Sequence, residues 1–95
     1  MSVLYTLIAR VKDWQALQRL NRMALLELAR KAGAIHYRIY RNARDASQGL
    51  LVAELPDHAA ARELSDRIGA ELEALVDGDL PGERVWQPTE LDGIG

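Results

Sequence analysis

Two segments of this chain carry apolar residues on both of their alternating sets of positions. They are VLYTLIARV at residues 3–11 and LLVAEL at residues 50–55. Side chains along a strand point to opposite faces in turn, so both segments are predicted to be strands with two apolar faces. A chain of 95 residues buries only about 60–65% of its unfolded surface on folding. We therefore expect a thin core, and we expect a partner subunit to bury part of the remaining apolar surface.

Two amphipathic helices are predicted to follow these strands. The first occupies residues 14–31, with Asp13 as its N-cap and Gly33 as its C′ residue, and the second begins after Asp57. Both carry an apolar stripe at helical spacing. The stripes comprise Trp14, Leu17, Leu20, Ala24, Leu25 and Leu28 in the first helix and Ala61, Leu64, Ile68, Leu72 and Leu75 in the second.

Two further strands complete the pattern. Residues 34–41 are predicted to form strand 2, with a hairpin loop at 42–49, and residues 84–87 to form a short strand 4 after a turn-rich connection at 77–82. The order of elements is then βαββαβ. Right-handed crossovers place both helices on one face of a four-stranded antiparallel sheet. The predicted fold class is α+β, with a ferredoxin-like architecture.

This arrangement leaves the second face of the sheet uncovered. The strands at 3–11 and 50–55 place apolar side chains there, and a large exposed apolar patch marks an interaction surface. Two copies that pair through their open faces would cover it, with an ordinary interface of about 800 Å² per partner. We therefore predict a homodimer, with residues 1–88 as a single domain and residues 89–95 as a C-terminal tail.

Charge argues against a general nucleic-acid binder, because the net charge is −2. Residues 1–53 carry nine Lys and Arg against three Asp and Glu, and residues 54–95 carry three against eleven. This split indicates either a basic surface for an anionic ligand or two oppositely charged halves that pack together. We favour the second interpretation, because the two helices are expected to be neighbours.

The composition also limits where the protein works. The apolar runs are short and interrupted by charge, which predicts no membrane span, and the first residues do not resemble a signal peptide. The chain contains no cysteine, so disulfides, thiolate metal sites and cysteine nucleophiles are excluded. We expect a cytoplasmic protein.

Four stretches resemble a known superfamily of small proteins. They are VKDWQAL at 11–17, LARKAGAIHYRIYRN at 28–42, LLVAELPDHAAARELSD at 50–66 and VWQP at 85–88. Together they are similar to the dimeric α/β-barrel superfamily, which contains antibiotic-biosynthesis monooxygenases and small polyketide cyclases. The resemblance covers nearly the whole chain, and the positions that carry it are mostly structural.

This resemblance implies a ferredoxin-like subunit whose sheet pairs with that of a second copy, and a ligand cavity between sheet and helices. It implies a small-molecule ligand, aromatic or polyketide-like, and a monooxygenase or cyclase that needs no cofactor. The haem-degrading branch depends on an Asn, His and Trp arrangement that is not found here. Asn21 falls in a helix, Asn42 in a loop and Trp86 in the last strand.

The candidate ligand-binding residues concentrate in strand 2. His36, Arg38 and Tyr40 alternate with the more apolar Ile35, Tyr37 and Ile39. A histidine transfers protons near neutral pH, and an arginine can hold a carboxylate or an enolate. We expect the apolar row to pack on the helices, which leaves the polar row for interfacial contacts, including an ion pair of Arg38 with Glu54. If the faces are reversed, the polar row lines the cavity and forms a site.

Two aromatic residues outside the polar row are also candidates. Tyr37 is the best candidate for a pocket hydroxyl, because a buried phenol needs a hydrogen-bond partner. Trp86 either walls a cavity or fills the core. The candidate set is therefore His36, Tyr37, Arg38 and Trp86, whereas Trp14 is expected to be a core residue.

The sequence contains no motif for metal binding or for hydrolysis by a serine nucleophile. His36 and His58 lack a second strong ligand at metal spacing, and the serines lack a nucleophile-elbow context. We expect no metal and no cofactor. The alternative to an enzyme is a non-catalytic dimerisation or ligand-sensing module, with Leu26 and the arginines of the first helix as its contact surface.

Overall fold

The computed structural model describes residues 2–79, 84–89 and 91. Its elements follow the predicted order, with the first helix divided into three segments. They are β1 (Val3–Val11), α1 (Trp14–Leu20), a π-helical segment (Asn21–Leu25), α2 (Leu26–Lys31), β2 (His36–Arg41), β3 (Gln48–Leu55), α3 (His58–Leu72), β4 (Val76–Asp79) and β5 (Val85–Trp86).

The predicted helix ends are present. The Asp13 carboxylate accepts hydrogen bonds from the backbone N–H groups of Gln15 and Ala16, at 3.0 and 3.1 Å, and the Asp57 carboxylate caps α3 in the same way. Gly33 follows α2 with a φ of 85°, a left-handed conformation that glycine adopts without steric cost. The π-helical segment was not predicted, because its apolar spacing does not differ visibly from that of an α-helix.

The sheet is antiparallel with the strand order β2-β3-β1-β4, and β5 also pairs with β1. Since β4 pairs at Ala9 and Val11 and β5 pairs at Leu4 and Tyr5, the two short strands share one edge of β1. The strand predicted at 84–87 is present as β5, but β4 was not predicted. Val76–Asp79 is a strand rather than part of a turn, because pairing with β1 overrides its local Gly and Asp content. Residues 80–82 of the predicted connection lie outside the described residues.

The core lies between the sheet and the helices. Alternate residues of β1 and β3 are buried there, and α1, α2 and α3 cover them. The largest fully buried side chains are Tyr5, Leu25, Leu55, Leu64 and Ile68. Among residues 2–76, 84–89 and 91, no polar or charged residue other than tyrosine is buried.

The opposite face of the sheet carries no helix of the described chain. Leu4, Ile8, Tyr40 and Trp86 are exposed there by 37%, 41%, 46% and 51%. These residues belong to β1, β2 and β5, and Leu50 of β3 lies between Ile8 and Tyr40. Their exposure therefore forms a shared apolar surface. We call this surface the open face. Of the predicted tail, only residues 89 and 91 are among the described residues.

Gly49 and Gly69 provide a matched test of the packing. A Cβ at Gly49 would lie 3.0 Å from Val11 Cγ2 and 3.1 Å from the Trp14 ring, whereas one at Gly69 would meet nothing within 4 Å. We predict that Gly49→Ala lowers the free energy of unfolding by about 1–2 kcal/mol through overpacking. Gly69→Ala, within α3, should raise it by up to about 1 kcal/mol. Urea unfolding at one protein concentration measures both, and equal effects would contradict the packing at Gly49.

Candidate functional site

The two rows of β2 face opposite ways. Tyr37 and Ile39 pack partly buried against the core, while His36, Arg38 and Tyr40 are exposed on the open face. Ile35 was expected to join the helix-side row, but it is 67% exposed because it lies just before β2 begins. The four candidate residues are therefore divided, with Tyr37 on one side of the sheet and His36, Arg38 and Trp86 on the other.

Strand register places one acidic residue between the open-face candidates. His36 lies opposite Glu54, Glu54 opposite Leu4, and Leu4 opposite Trp86. These four residues form one row across the sheet, which we call the Glu54 row. At about 4.8 Å per strand, its ends are about 14 Å apart. A ligand of one ring therefore cannot contact both His36 and Trp86 within one subunit.

The expected pairing of Arg38 with Glu54 does not match this register. Arg38 lies opposite Val52, and the partner recorded for Glu54 is Ser2, whose hydroxyl donates a 2.7 Å hydrogen bond to Glu54 Oε2. Nothing in the sequence pattern marked Glu54 or Ser2 as members of a site. Their role depends on which residues face each other across three strands.

A depression of about 310 Å³ opens at the Trp86 end of the Glu54 row. Its lining residues are Ser2, Val3, Leu4, Glu54, Trp86, Gln87 and Pro88. The Trp86 indole N–H donates a 3.0 Å hydrogen bond to Thr6 Oγ1, and the Gln87 side chain contacts His58 at 2.7 Å. Trp86 therefore walls a surface depression and does not fill the core.

Tyr37 is held by the first helix. Its hydroxyl donates a hydrogen bond to Asn21 Oδ1, and Asn21 is the first residue of the π-helical segment. Burial raises the pKa of the Tyr37 hydroxyl above its ordinary value, because the anion is poorly solvated there. The hydroxyl expected to bind a ligand thus has a partner within the fold.

The space between sheet and helices is small. A cavity of about 30 Å³ lies there, lined by apolar side chains of β1, β3 and α1 together with Ile39, Leu72, Val76 and the backbone of Gly49. This volume has room for about two water molecules. The resemblance implied a ligand cavity in this layer, and an aromatic molecule would require the core to open.

Trp14 packs half-buried against the core, as expected, and it also holds the β2–β3 loop. Its indole N–H donates a 2.6 Å hydrogen bond to the Ala46 carbonyl, and the Arg41 guanidinium lies 4.4 Å from the ring centroid. This contact joins the start of the first helix to the loop that follows β2.

Neither a metal site nor a membrane span is found among the described residues. No group of three or more His, Asp or Glu side chains in that part of the chain is placed to hold a metal ion. No helix there is long and apolar enough to cross a bilayer.

Comparison with known proteins identifies the fold. No protein-family model and no curated protein sequence matches the chain, but solved structures do. A protein from Nitrosomonas europaea, proposed to be an antibiotic biosynthesis monooxygenase, has a TM-score of 0.69 at 14% identity, over 97% of this chain and 94% of that one. A variant of SnoaB, a cofactor-independent oxygenase from Streptomyces nogalater, has a TM-score of 0.65 at 16% identity, over 87% and 94%.

A third structure extends this group. A dimeric ferredoxin-like protein from an uncultured marine organism has a TM-score of 0.62 at 15% identity, over 97% of this chain and 93% of that one. The chain has the ferredoxin-like fold of these proteins. The resemblance to antibiotic-biosynthesis monooxygenases, predicted from the sequence, is thereby confirmed for the ferredoxin-like fold. At these identities the likeness extends to the fold alone.

The Tyr37–Asn21 hydrogen bond predicts a loss of stability on substitution. Tyr37→Phe removes the donor and leaves Asn21 Oδ1 without it, which should lower the free energy of unfolding by about 1–2 kcal/mol. Tyr40→Phe on the open face is the control, expected to change it by less than about 0.5 kcal/mol. Thermal and urea unfolding test this, and equal losses in both variants would count against the contact.

The raised pKa of Tyr37 predicts an alkaline loss of stability. Folding favours the neutral phenol, so its contribution is complete below the pKa of about 10 for an unfolded tyrosine and declines as pH rises above it. Urea unfolding between pH 8 and 11 should show a steeper decline for the wild type than for Tyr37→Phe. Parallel curves for wild type and Tyr37→Phe would refute the assignment.

Proposed function

We propose that this protein is a homodimer, paired through the open face, that binds a small aromatic molecule in the depression beside Trp86. The observation that carries the proposal is the open face itself, where large apolar side chains surround a depression of ligand size. Pockets for small molecules usually begin near 300 Å³, and the depression measures about 310 Å³.

Pairing through the open face is supported by what this face exposes. Ile8 and Tyr40 are 41% and 46% exposed, and the register puts Leu50 between them. Such a patch lowers its free energy when a second apolar surface covers it. The description of the marine ferredoxin-like protein as dimeric supports the same arrangement.

The chemistry we propose is cofactor-independent oxygenation or cyclisation of the bound molecule, as SnoaB is a cofactor-independent oxygenase. Within one subunit His36 lies about 14 Å from Trp86 across the Glu54 row, too far for one ring to contact both. We therefore propose that pairing brings His36 and Arg38 of one subunit to the depression of the other, where they supply a proton acceptor and a cation for a developing oxyanion. Tyr37 lies on the helix side, so we assign it a structural role. We place the working protein in the cytoplasm and its domain at residues 1–88.

One observation favours the second candidate function, a non-catalytic dimerisation module. The cavity between sheet and helices, about 30 Å³, is too small for an aromatic ligand. The contact surface of such a module would centre on Met23, which is 81% exposed beside the exposed Arg22. Leu26, which was expected to make this contact, is half-buried.

The proposed dimer is tested by introducing a charged residue on the open face. Ile8→Glu should convert the dimer to a monomer, because a carboxylate would be buried between two apolar sheets. Met23→Glu, at an exposed position of the first helix, is the matched control and should leave the mass unchanged. Light scattering during size exclusion gives both masses. A monomeric wild type at high concentration would overturn the pairing.

The chemistry is tested separately by oxygen consumption with a panel of phenolic substrates in the presence of a metal chelator. Wild-type protein should consume oxygen, and both His36→Ala and Arg38→Ala should lower the rate at least tenfold while remaining dimeric. If no substrate is turned over but the depression binds aromatic molecules, the binding module is the correct function.

A further inference from the structure

We propose that the depression beside Trp86 selects an organic cation in which an ammonium group lies two or three bonds from an aromatic ring. This inference rests on the proposed ligand site and names the chemical class that it takes. Three features of the described residues carry it: one carboxylate, one tryptophan with an available ring surface, and the distance between them.

The carboxylate belongs to Glu54. It is the only charged side chain among the described residues that line the depression, and its neighbours there include Val3, Leu4 and Pro88. The Ser2 hydroxyl occupies one oxygen at 2.7 Å, and Glu54 is half-buried. A carboxylate that has lost part of its water shell gains more from a cation than an exposed one does. The site therefore favours a positively charged group over a neutral or anionic one.

The opposite wall is the Trp86 indole. Its N–H is already bonded to Thr6 Oγ1, yet the residue is 51% exposed. The hydrogen-bonding capacity of the ring is thus used inside the fold, and what it offers to a ligand is its π surface. Such a surface binds aromatic rings by stacking and cations by electrostatic attraction.

The register sets the length of the ligand. Leu4 lies between Glu54 and Trp86, so their backbones are about 10 Å apart, and both side chains line the depression. A ring over Leu4 and Trp86 then places an ammonium near Glu54 when two or three bonds join them. An arylethylamine has this length and is small enough for about 310 Å³.

Two basic residues of β2 lie on the other side of Glu54. His36 faces Glu54 from β2, and Arg38 faces Val52 in the next row. Both are on the edge strand away from Trp86, which leaves the Trp86 side of the carboxylate for the ligand.

Trp14 and Trp86 are the only tryptophans, so the ¹H–¹⁵N spectrum contains two indole signals, assigned with Trp86→Phe. We expect phenethylamine at pH 8 to shift the Trp86 signal and leave the Trp14 signal in place. Its dissociation constant should be at least tenfold lower than that of the neutral phenethyl alcohol. Glu54→Gln, which retains a hydrogen-bonding side chain for Ser2, should remove this preference, and Glu71→Gln on the exposed side of α3 should retain it.

Equal affinity for the amine and the alcohol, or an unchanged preference in Glu54→Gln, would overturn the proposal. Light scattering on the same samples separates it from the proposed pairing, since amine selectivity in a monomer would refute only the dimer. Folding of each variant is checked by the dispersion of its amide signals. If Glu54→Gln does not fold, two measurements on wild-type protein decide the question. They are the ratio of its affinities for the amine and the alcohol, and the decline of this ratio in high salt.

Discussion

The structure depends on one constraint: β1 and β3 lie side by side in the centre of the sheet and are apolar on both faces. The helices bury only one of these faces. Tyr5, Leu55 and their neighbours then form a core on the helix side, while Leu4 and Ile8 remain on the open face. Since the hydrophobic effect acts on both faces alike, a fold that satisfies one of them leaves a surface suited to a partner.

The helix side of the sheet is closed by specific polar contacts as well as by apolar packing. The Tyr37 hydroxyl reaches Asn21 at the start of the π-helical segment. Segments of this kind are common at functional sites, but here the hydrogen bond joins the edge strand to the first helix. This contact and the small cavity indicate that the helix side has a structural role. The open face is therefore the better candidate for a binding site.

Single residues show how much of the site was predictable. Alternation separated Tyr37 from His36 and Arg38, because side-chain direction in a strand has a period of two. That Tyr37 faces the helices was expected from the greater apolarity of its row, and only the structure excluded the reversed placement. The Arg38–Glu54 pairing was wrong, because alternation determines the face of a residue but not its neighbour on the next strand. Asn21 could not be recognised as a partner of Tyr37, since the two residues meet only after the first helix packs on the sheet.

The sequence by itself determined the fold class, the helix caps and the two alternating rows of side chains in each strand, because these depend on local periodicity and on single side chains. Only the tertiary structure decided the Glu54 row, the strand character of Val76–Asp79 and the small volume between sheet and helices. Each of these depends on strand register and on packing between distant segments. Register is a long-range property, and one residue of slip would have moved Glu54 away from both Leu4 and the depression beside Trp86.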